Sequence, residues 1–131
     1  MINVNLSRFA PFLMSVLRIV AAALFIFHGT QKLLNMPDGH GTPAMFSRLW
    51  FAGVLEMFGG LLMLGGLFTR PVAFVLSGEM FAAYMIAHRP RGTWPIVNGG
   101  ELAVLFCVIW LYFVAAGPGP ASLDAIVRKR R

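Results

Sequence analysis

Cysteine and acidic residues are scarce in this chain of 131 residues. The single cysteine, Cys107, excludes an intrachain disulfide, a CxxC redox pair and a cysteine-based metal site. Only five aspartates and glutamates stand against eleven lysines and arginines, which gives a formal net charge of +6. The chain also lacks a nucleotide-binding loop and a nucleophile with a base at a recognisable spacing, so we do not expect an enzyme that acts alone.

Hydrophobic residues, in contrast, make up 58% of the chain, and its mean hydropathy is +0.74. A soluble domain of this size cannot bury so much apolar surface, so the composition predicts a membrane protein. Crossing a bilayer takes about 20 apolar residues in a helix, and four stretches approach that length: residues 11–34, 49–68, 71–87 and 99–116. We therefore predict one all-α transmembrane domain over residues 1–131, folded as an antiparallel four-helix bundle.

The basic residues favour one orientation of this bundle. With four spans, both termini and the second connection share a side, which carries six of the basic residues: Arg8, Arg70, Arg128, Lys129, Arg130 and Arg131. The opposite side carries four: Lys32, Arg48, Arg89 and Arg91. The positive-inside rule therefore predicts cytoplasmic termini in a bacterial cytoplasmic (inner) membrane. We expect the basic tail to contact anionic lipid head groups and not nucleic acid.

Glutamates interrupt the apolar stretches. A carboxylate at hydrocarbon depth costs several kcal/mol unless it is paired or faces water, so each one marks a candidate functional site. The three are Glu56, Glu79 and Glu101. The first apolar stretch holds their candidate partners, which are Arg18, His28, Gln31 and Lys32.

Depth along the helices indicates which of these groups meet. At about 1.5 Å per residue, Glu56 and His28 fall in the outer half of the bilayer, with Glu101 at the same edge and Glu79 near the middle of its span. In a purely structural account the charges neutralise one another within the bundle: Glu56 pairs with Lys32 and Glu101 with Arg18 or His28, while Arg18 is a second possible partner for Glu56.

Helical phase places Gly53, Gly59 and Gly60 on the same face as Glu56. Small residues let helices approach closely in lipid, so this face of the second span is expected to meet another helix. The neighbour is either another span of the bundle or a second copy of the chain in a homo-oligomer.

The order of several short motifs resembles the DoxX family of small four-span membrane proteins of bacteria and archaea. The resemblance covers nearly the whole chain, although no single motif is specific. The motifs are Arg18, then HGTQKL at 28–33, EMFGGLLMLGGLFTR at 56–70, Met80 with Ala83 and His88, GGELAVLF at 99–106, and GPGPASLD at 117–124.

The resemblance implies a four-helix bundle and, more loosely, a function. Some DoxX-like proteins serve as the membrane subunit of a thiosulfate to quinone oxidoreductase, and another is associated with a membrane complex that joins superoxide removal to thiol chemistry. Carried onto this sequence, the resemblance implies a polar ligand-binding pocket, to which Glu79 is added on depth and phase alone. Its expected members are Arg18, His28, Gln31, Lys32, Glu56, Glu79 and Glu101.

These residues leave several functions open. The first is a membrane subunit of a redox system that binds a quinone in the outer leaflet, with a redox enzyme as partner. The second is a non-catalytic anchor or assembly partner for another enzyme. The third, less favoured, is a small-solute or proton pathway through the glutamates and His28. Haem ligation by His28 and His88 is disfavoured by their different depths, and no spacing diagnostic of a metal site is present.

Overall fold

The computed structural model describes residues 5–38 and 40–130, and this part of the chain is helical without strands. Four long helices form the bundle: α1 (Ala10–Leu34), α2 (Arg48–Gly65), α3 (Thr69–Arg91) and α4 (Glu101–Ala116). The predicted all-α fold is confirmed, and each helix coincides closely with one predicted apolar stretch. Arg131 of the basic tail lies outside the described residues.

Helix length differs between the first three helices and the last. The helices α1 to α3 are long and apolar enough to cross a membrane. The apolar helix α4 has 16 residues, or about 24 Å at the usual helical rise, which is less than a typical hydrocarbon core. A one-turn helix, Pro95–Asn98, precedes it.

Local sequence explains where these helices begin and end. The Ser47 side chain caps α2 by accepting a hydrogen bond from the amide of Trp50 at 3.2 Å. The first helix ends at Asn35, which adopts a left-handed backbone conformation with φ of 57°. Between α2 and α3 the chain turns at Gly66, where φ is 66°. This turn makes α2 and α3 consecutive antiparallel helices.

The helix α1 packs against α2, and α3 packs against α4. Glycines set the spacing between α1 and α2. A Cβ atom on Gly29 would lie 2.5 Å from the backbone nitrogen of Met57, so the two backbones touch directly. A Cβ on Gly53 would lie 2.9 Å from the Cβ of Lys32. The small face of the second span therefore packs inside the bundle, which decides between the two neighbours that the sequence left open.

Aromatic side chains fill the middle of the bundle. Phe25 of α1 lies 5.1 Å from Phe106 and 5.3 Å from Trp110 of α4, measured between ring centroids. Phe106 stacks on Trp110 at 6.0 Å. This cluster forms the floor of a cavity at the loop end of the bundle, which is the end formed by the connections 35–47 and 92–100. The opposite, terminal end holds the start of α1 and the segment after α4.

Candidate functional site

A cavity of about 330 Å³ opens between the four long helices at the loop end, and we call it the inner pocket. Its polar lining residues are His28, Lys32, Glu56 and His88. The rest of the lining is apolar apart from Gly99: Phe25, Leu49, Ala52, Met80, Ala83, Ala87, Leu102, Ala103 and Phe106. A small polar group is thus set into an apolar cavity, the usual composition of a small-molecule site.

An ion pair forms one wall of the inner pocket. The Lys32 amino group donates hydrogen bonds to both carboxylate oxygens of Glu56, at 2.9 and 2.6 Å. The Glu56 side chain is 5% exposed and the Lys32 side chain is 26% exposed. The expected pairing of Glu56 with Lys32 is confirmed. Because the pair satisfies the carboxylate with two charge-assisted hydrogen bonds, Glu56 is accommodated inside the bundle.

Two π-helical segments flank the inner pocket. One is Leu55–Gly59 in α2, which carries Glu56, and the other is Tyr84–His88 in α3, which carries His88. A π-helical turn inserts one residue into the helix and shifts the face that the following residues present, and such turns are frequent at functional sites. The sequence analysis missed both segments, because a period of 3.6 residues fitted through each span does not reveal one inserted residue.

Two histidines lie on different walls of the inner pocket. The His28 ring meets Phe106 edge-on at 6.1 Å, and within the described part of the chain its nitrogens have no hydrogen-bond partner. His88 Nδ1 lies 3.2 Å from the backbone oxygen of Asn98, and its ring stacks on Tyr84 at 6.3 Å. Asn98 in turn donates a hydrogen bond to the Tyr84 hydroxyl at 3.2 Å. His88 is held in place, whereas His28 keeps its polar atoms available to a ligand.

Glu79 lies next to this site on α3, immediately before the pocket residue Met80. Both of its carboxylate oxygens are buried, and neither has a hydrogen-bond partner among the described residues. An unpaired buried carboxylate is costly as an anion, so the protonated form of Glu79 suits this environment.

Like Glu79, the predicted site residues Gln31 and Glu101 do not line the inner pocket. Gln31 lines a second cavity of about 430 Å³, the outer cavity, and donates a hydrogen bond to the backbone oxygen of Asp38 at 3.3 Å. Glu101 is exposed at the start of α4 and makes no ion pair with any described residue. The expected pairing of Glu101 with Arg18 or His28 is therefore wrong, because its side chain points out of the bundle.

Arg18 lies far from the inner pocket. It precedes His28 by ten residues, or about 15 Å along α1, and is completely buried at the terminal end. Its guanidinium donates hydrogen bonds to backbone oxygens of Met63 at 2.8 Å, Ala121 at 2.7 Å and Pro118. Arg18 thus joins α1, α2 and the segment after α4. The family resemblance implied a place for Arg18 in the pocket, and the structure instead places its guanidinium among backbone oxygens at the terminal end.

Asp124 completes this terminal end. The residue belongs to the short helix α5 (Leu123–Lys129), whose first turn is capped by the Ser122 side chain. Its carboxylate accepts hydrogen bonds from the amides of Phe68 and Thr69, both at 2.9 Å, at the start of α3. Partial burial raises the pKa of Asp124, but these amide hydrogen bonds outweigh it and hold the pKa below its ordinary value.

Within residues 5–38 and 40–130, no three histidine, cysteine, aspartate or glutamate side chains converge as metal ligands. The polar groups of the inner pocket are instead two histidines and a paired lysine and glutamate, which suit hydrogen bonding and proton exchange with an uncharged organic ligand.

Comparisons with known proteins bear on the family. The DoxX family model matches residues 13–89, which include most of α1, all of α2 and most of α3. An uncharacterised protein of Haemophilus influenzae is 45% identical over 127 residues, covering 92% of this chain and 94% of the relative. An uncharacterised membrane protein of Mycobacterium tuberculosis is 32% identical over 135 residues, covering 87% and 80%. No solved structure matches the chain. The family match spans more than half of the chain and agrees with the helical bundle, so this protein belongs to the DoxX family of membrane proteins.

Proposed function

We propose that this protein is a membrane subunit of a redox system and that its inner pocket binds the head group of a quinone. One observation carries the proposal: His28, with its nitrogens unpartnered among the described residues, and the Lys32–Glu56 pair face the same otherwise apolar cavity. Few small molecules of a membrane need both hydrogen-bonding groups and an apolar cavity, and quinones are among them.

The residues of the inner pocket fit a quinone head group in three respects. His28 offers ring nitrogens within the membrane-embedded part of α1, and quinone carbonyl oxygens accept hydrogen bonds from such donors. Phe25 and Phe106 provide aromatic surfaces for a planar ring. Lys32 and Glu56 are proton-exchanging groups at the wall, and a quinone takes up protons when it is reduced.

The orientation follows from the basic residues and belongs to the proposal. With the termini in the cytoplasm of a bacterium, the loop end and the inner pocket lie in the outer half of the cytoplasmic membrane. In this proposal the electrons that reduce the quinone come from a partner redox enzyme. The residues of the inner pocket bind the ligand and exchange protons, but none of them carries electrons.

A second candidate function is a non-catalytic anchor or assembly partner for another enzyme. It is favoured by the Lys32 amino group, which already donates to both oxygens of Glu56 and so needs no ligand to be satisfied. In this account the ion pair only holds α1 against α2, and the exposed connections at the loop end bind the partner.

The two functions differ in what the purified protein carries. We would purify the protein in mild detergent, extract bound small molecules, identify them by mass spectrometry and record a visible spectrum of the intact sample. A quinone near one equivalent, lost in His28→Leu and retained in the exposed control Glu101→Gln, supports the redox subunit. Phospholipid alone in the unmodified protein, with added quinone also failing to bind, would reject it and favour the assembly partner.

A further inference from the structure

The inner pocket adjoins two other cavities, and side chains that line both the inner pocket and its neighbour form the wall between them. The two walls differ in how firmly their side chains are held. On the aqueous side, Lys32 and Leu49 line both the inner pocket and the outer cavity. On the lipid side, His28, Leu102 and Phe106 line both the inner pocket and a groove of about 320 Å³ between α1 and α4, which we call the seam groove.

The aqueous wall is the firmer one. Lys32 is tied across it to Glu56 by two hydrogen bonds, and a passage there requires a buried ion pair to separate. The outer cavity beyond it has polar lining residues that include Asp38 and His40. This side suits water and ions, and it resists the passage of a large apolar molecule.

The lipid wall is looser. The His28 ring rests edge-on against Phe106 at 6.1 Å, without a hydrogen bond to hold it in the described part of the chain. The helices α1 and α4 also contact each other much less than α1 contacts α2 or α4 contacts α3. A side-chain rotation at His28 therefore joins the inner pocket to the seam groove without moving a helix.

The seam groove itself is mostly apolar and faces lipid. Its lining includes Leu24 and Phe27, whose side chains are 51% and 57% exposed, and Pro37. Exposed apolar side chains at this level of a membrane-spanning helix contact acyl chains. Apart from Gln31 and His28, the lining of the groove is apolar, and it leads from the lipid to the polar groups of the inner pocket.

We propose that the inner pocket takes its ligand sideways from the lipid through the seam between α1 and α4, and that the ligand's apolar tail lies in the seam groove. The inference rests on the proposed function for the head group and adds the route of entry and the ligand class. The pocket then selects a lipid-borne molecule with a long hydrocarbon tail over a water-soluble one with the same head.

The test measures the binding of two quinones that share the same head group, one with a ten-carbon tail and one without a tail. Each is bound to the full-length protein in detergent micelles, in three forms: unmodified, Leu24→Trp and Val20→Trp. Leu24→Trp places an indole in the seam groove. Val20→Trp is the matched control, because Val20 is also 51% exposed and lies one turn earlier on α1, outside the groove. We expect Leu24→Trp to weaken binding of the tailed quinone by about tenfold or more, which corresponds to about 1.4 kcal/mol. Binding of the tailless quinone is expected to stay unchanged, as is binding of both to Val20→Trp.

Other results separate this inference from the proposed function. If the unmodified protein binds neither quinone, the proposed function fails. If the unmodified protein binds both quinones but Leu24→Trp has no selective effect on binding of the tailed quinone, the seam inference fails and the proposed function stands. The same holds if the only effect of Leu24→Trp is to dissociate a dimer of this chain. A photoreactive group at the end of the tail provides a second measurement on the unmodified protein. Labelling of the segment that holds Leu24 and Phe27 is expected, and labelling only of residues 40–43, which line the outer cavity and not the seam groove, would overturn the route.

Discussion

Separating the Lys32–Glu56 pair is expected to destabilise the bundle by an amount that depends on which partner is removed. Lys32→Met leaves Glu56 as a carboxylate that is 5% exposed and has lost two short hydrogen bonds. Stranding one charge of a buried pair costs about 3 to 5 kcal/mol. Glu56→Met leaves Lys32, whose side chain is 26% exposed and lines the outer cavity. It can turn towards water there, so we expect about half that cost.

Replacing both residues with methionine removes the stranded charge altogether. Well-packed apolar replacements of buried ion pairs are often neutral or stabilising, so we expect the double variant to be more stable than Lys32→Met. If the double variant is as stable as the unmodified protein, the coupling free energy from a double-mutant cycle equals the sum of the two single losses, about 4.5 to 7.5 kcal/mol. The assay is reversible unfolding in mixed micelles of mild detergent and dodecyl sulfate, followed by tryptophan fluorescence. Additive effects of less than about 1 kcal/mol each would refute the reasoning, because exposed pairs behave in that way.

The remaining predictions concern three other parts of the molecule. Glu79→Gln is expected to change the free energy of unfolding by less than about 1 kcal/mol, because the Glu79 carboxyl has no hydrogen-bond partner to lose among the described residues. In the same assay, a decrease of more than about 2 kcal/mol in the free energy of unfolding would show an ionised, paired carboxylate. Asp124→Ala should cost about 1 to 2 kcal/mol at neutral pH by uncapping α3. Because folding lowers the pKa of Asp124, its contribution to the free energy of unfolding is complete above the ordinary aspartate pKa and disappears as the pH falls through the lowered value. If the unfolding curves of the unmodified protein and of Asp124→Ala stay equally far apart in acid, this expectation is contradicted. Gly29→Ala should reduce accumulation of the protein in the membrane, because the new Cβ would lie 2.5 Å from the backbone nitrogen of Met57. The control Gly78→Ala has open space around its new Cβ and should be tolerated or stabilising. Equal amounts of the two variants on immunoblots of membranes would argue against close α1–α2 packing.

The fold could be predicted from the sequence because lipid imposes strict demands on it. Apolar runs long enough to span, separated by short connections at 35–48, 69–70 and 88–98, leave few arrangements other than a helical bundle. The pairing of Glu56 with Lys32 was also predictable, since a buried carboxylate needs a nearby cation and depth counting brought these two to the same level.

The rest of the candidate site could not be read from the sequence, for three physical reasons. The π-helical turn Tyr84–His88 shifts the face of α3 on which His88 lies, and a regular period does not show such a shift. Arg18 is satisfied by backbone oxygens and not by a carboxylate, and such acceptors are invisible in a search for opposite charges. Glu101 needs no partner because it lies at an exposed helix start.

The central claim is that the inner pocket binds a quinone head group beside His28. Trp110 provides a direct probe, because it stacks on Phe106 of the pocket lining at 6.0 Å and its side chain is fully buried. With Trp50 and Trp94 replaced by phenylalanine, we would titrate the protein with a tailless quinone and follow the fluorescence of Trp110. The account predicts saturable quenching at one equivalent per chain that is lost in His28→Leu. Quenching that rises linearly without saturation, and equally in both proteins, would contradict it.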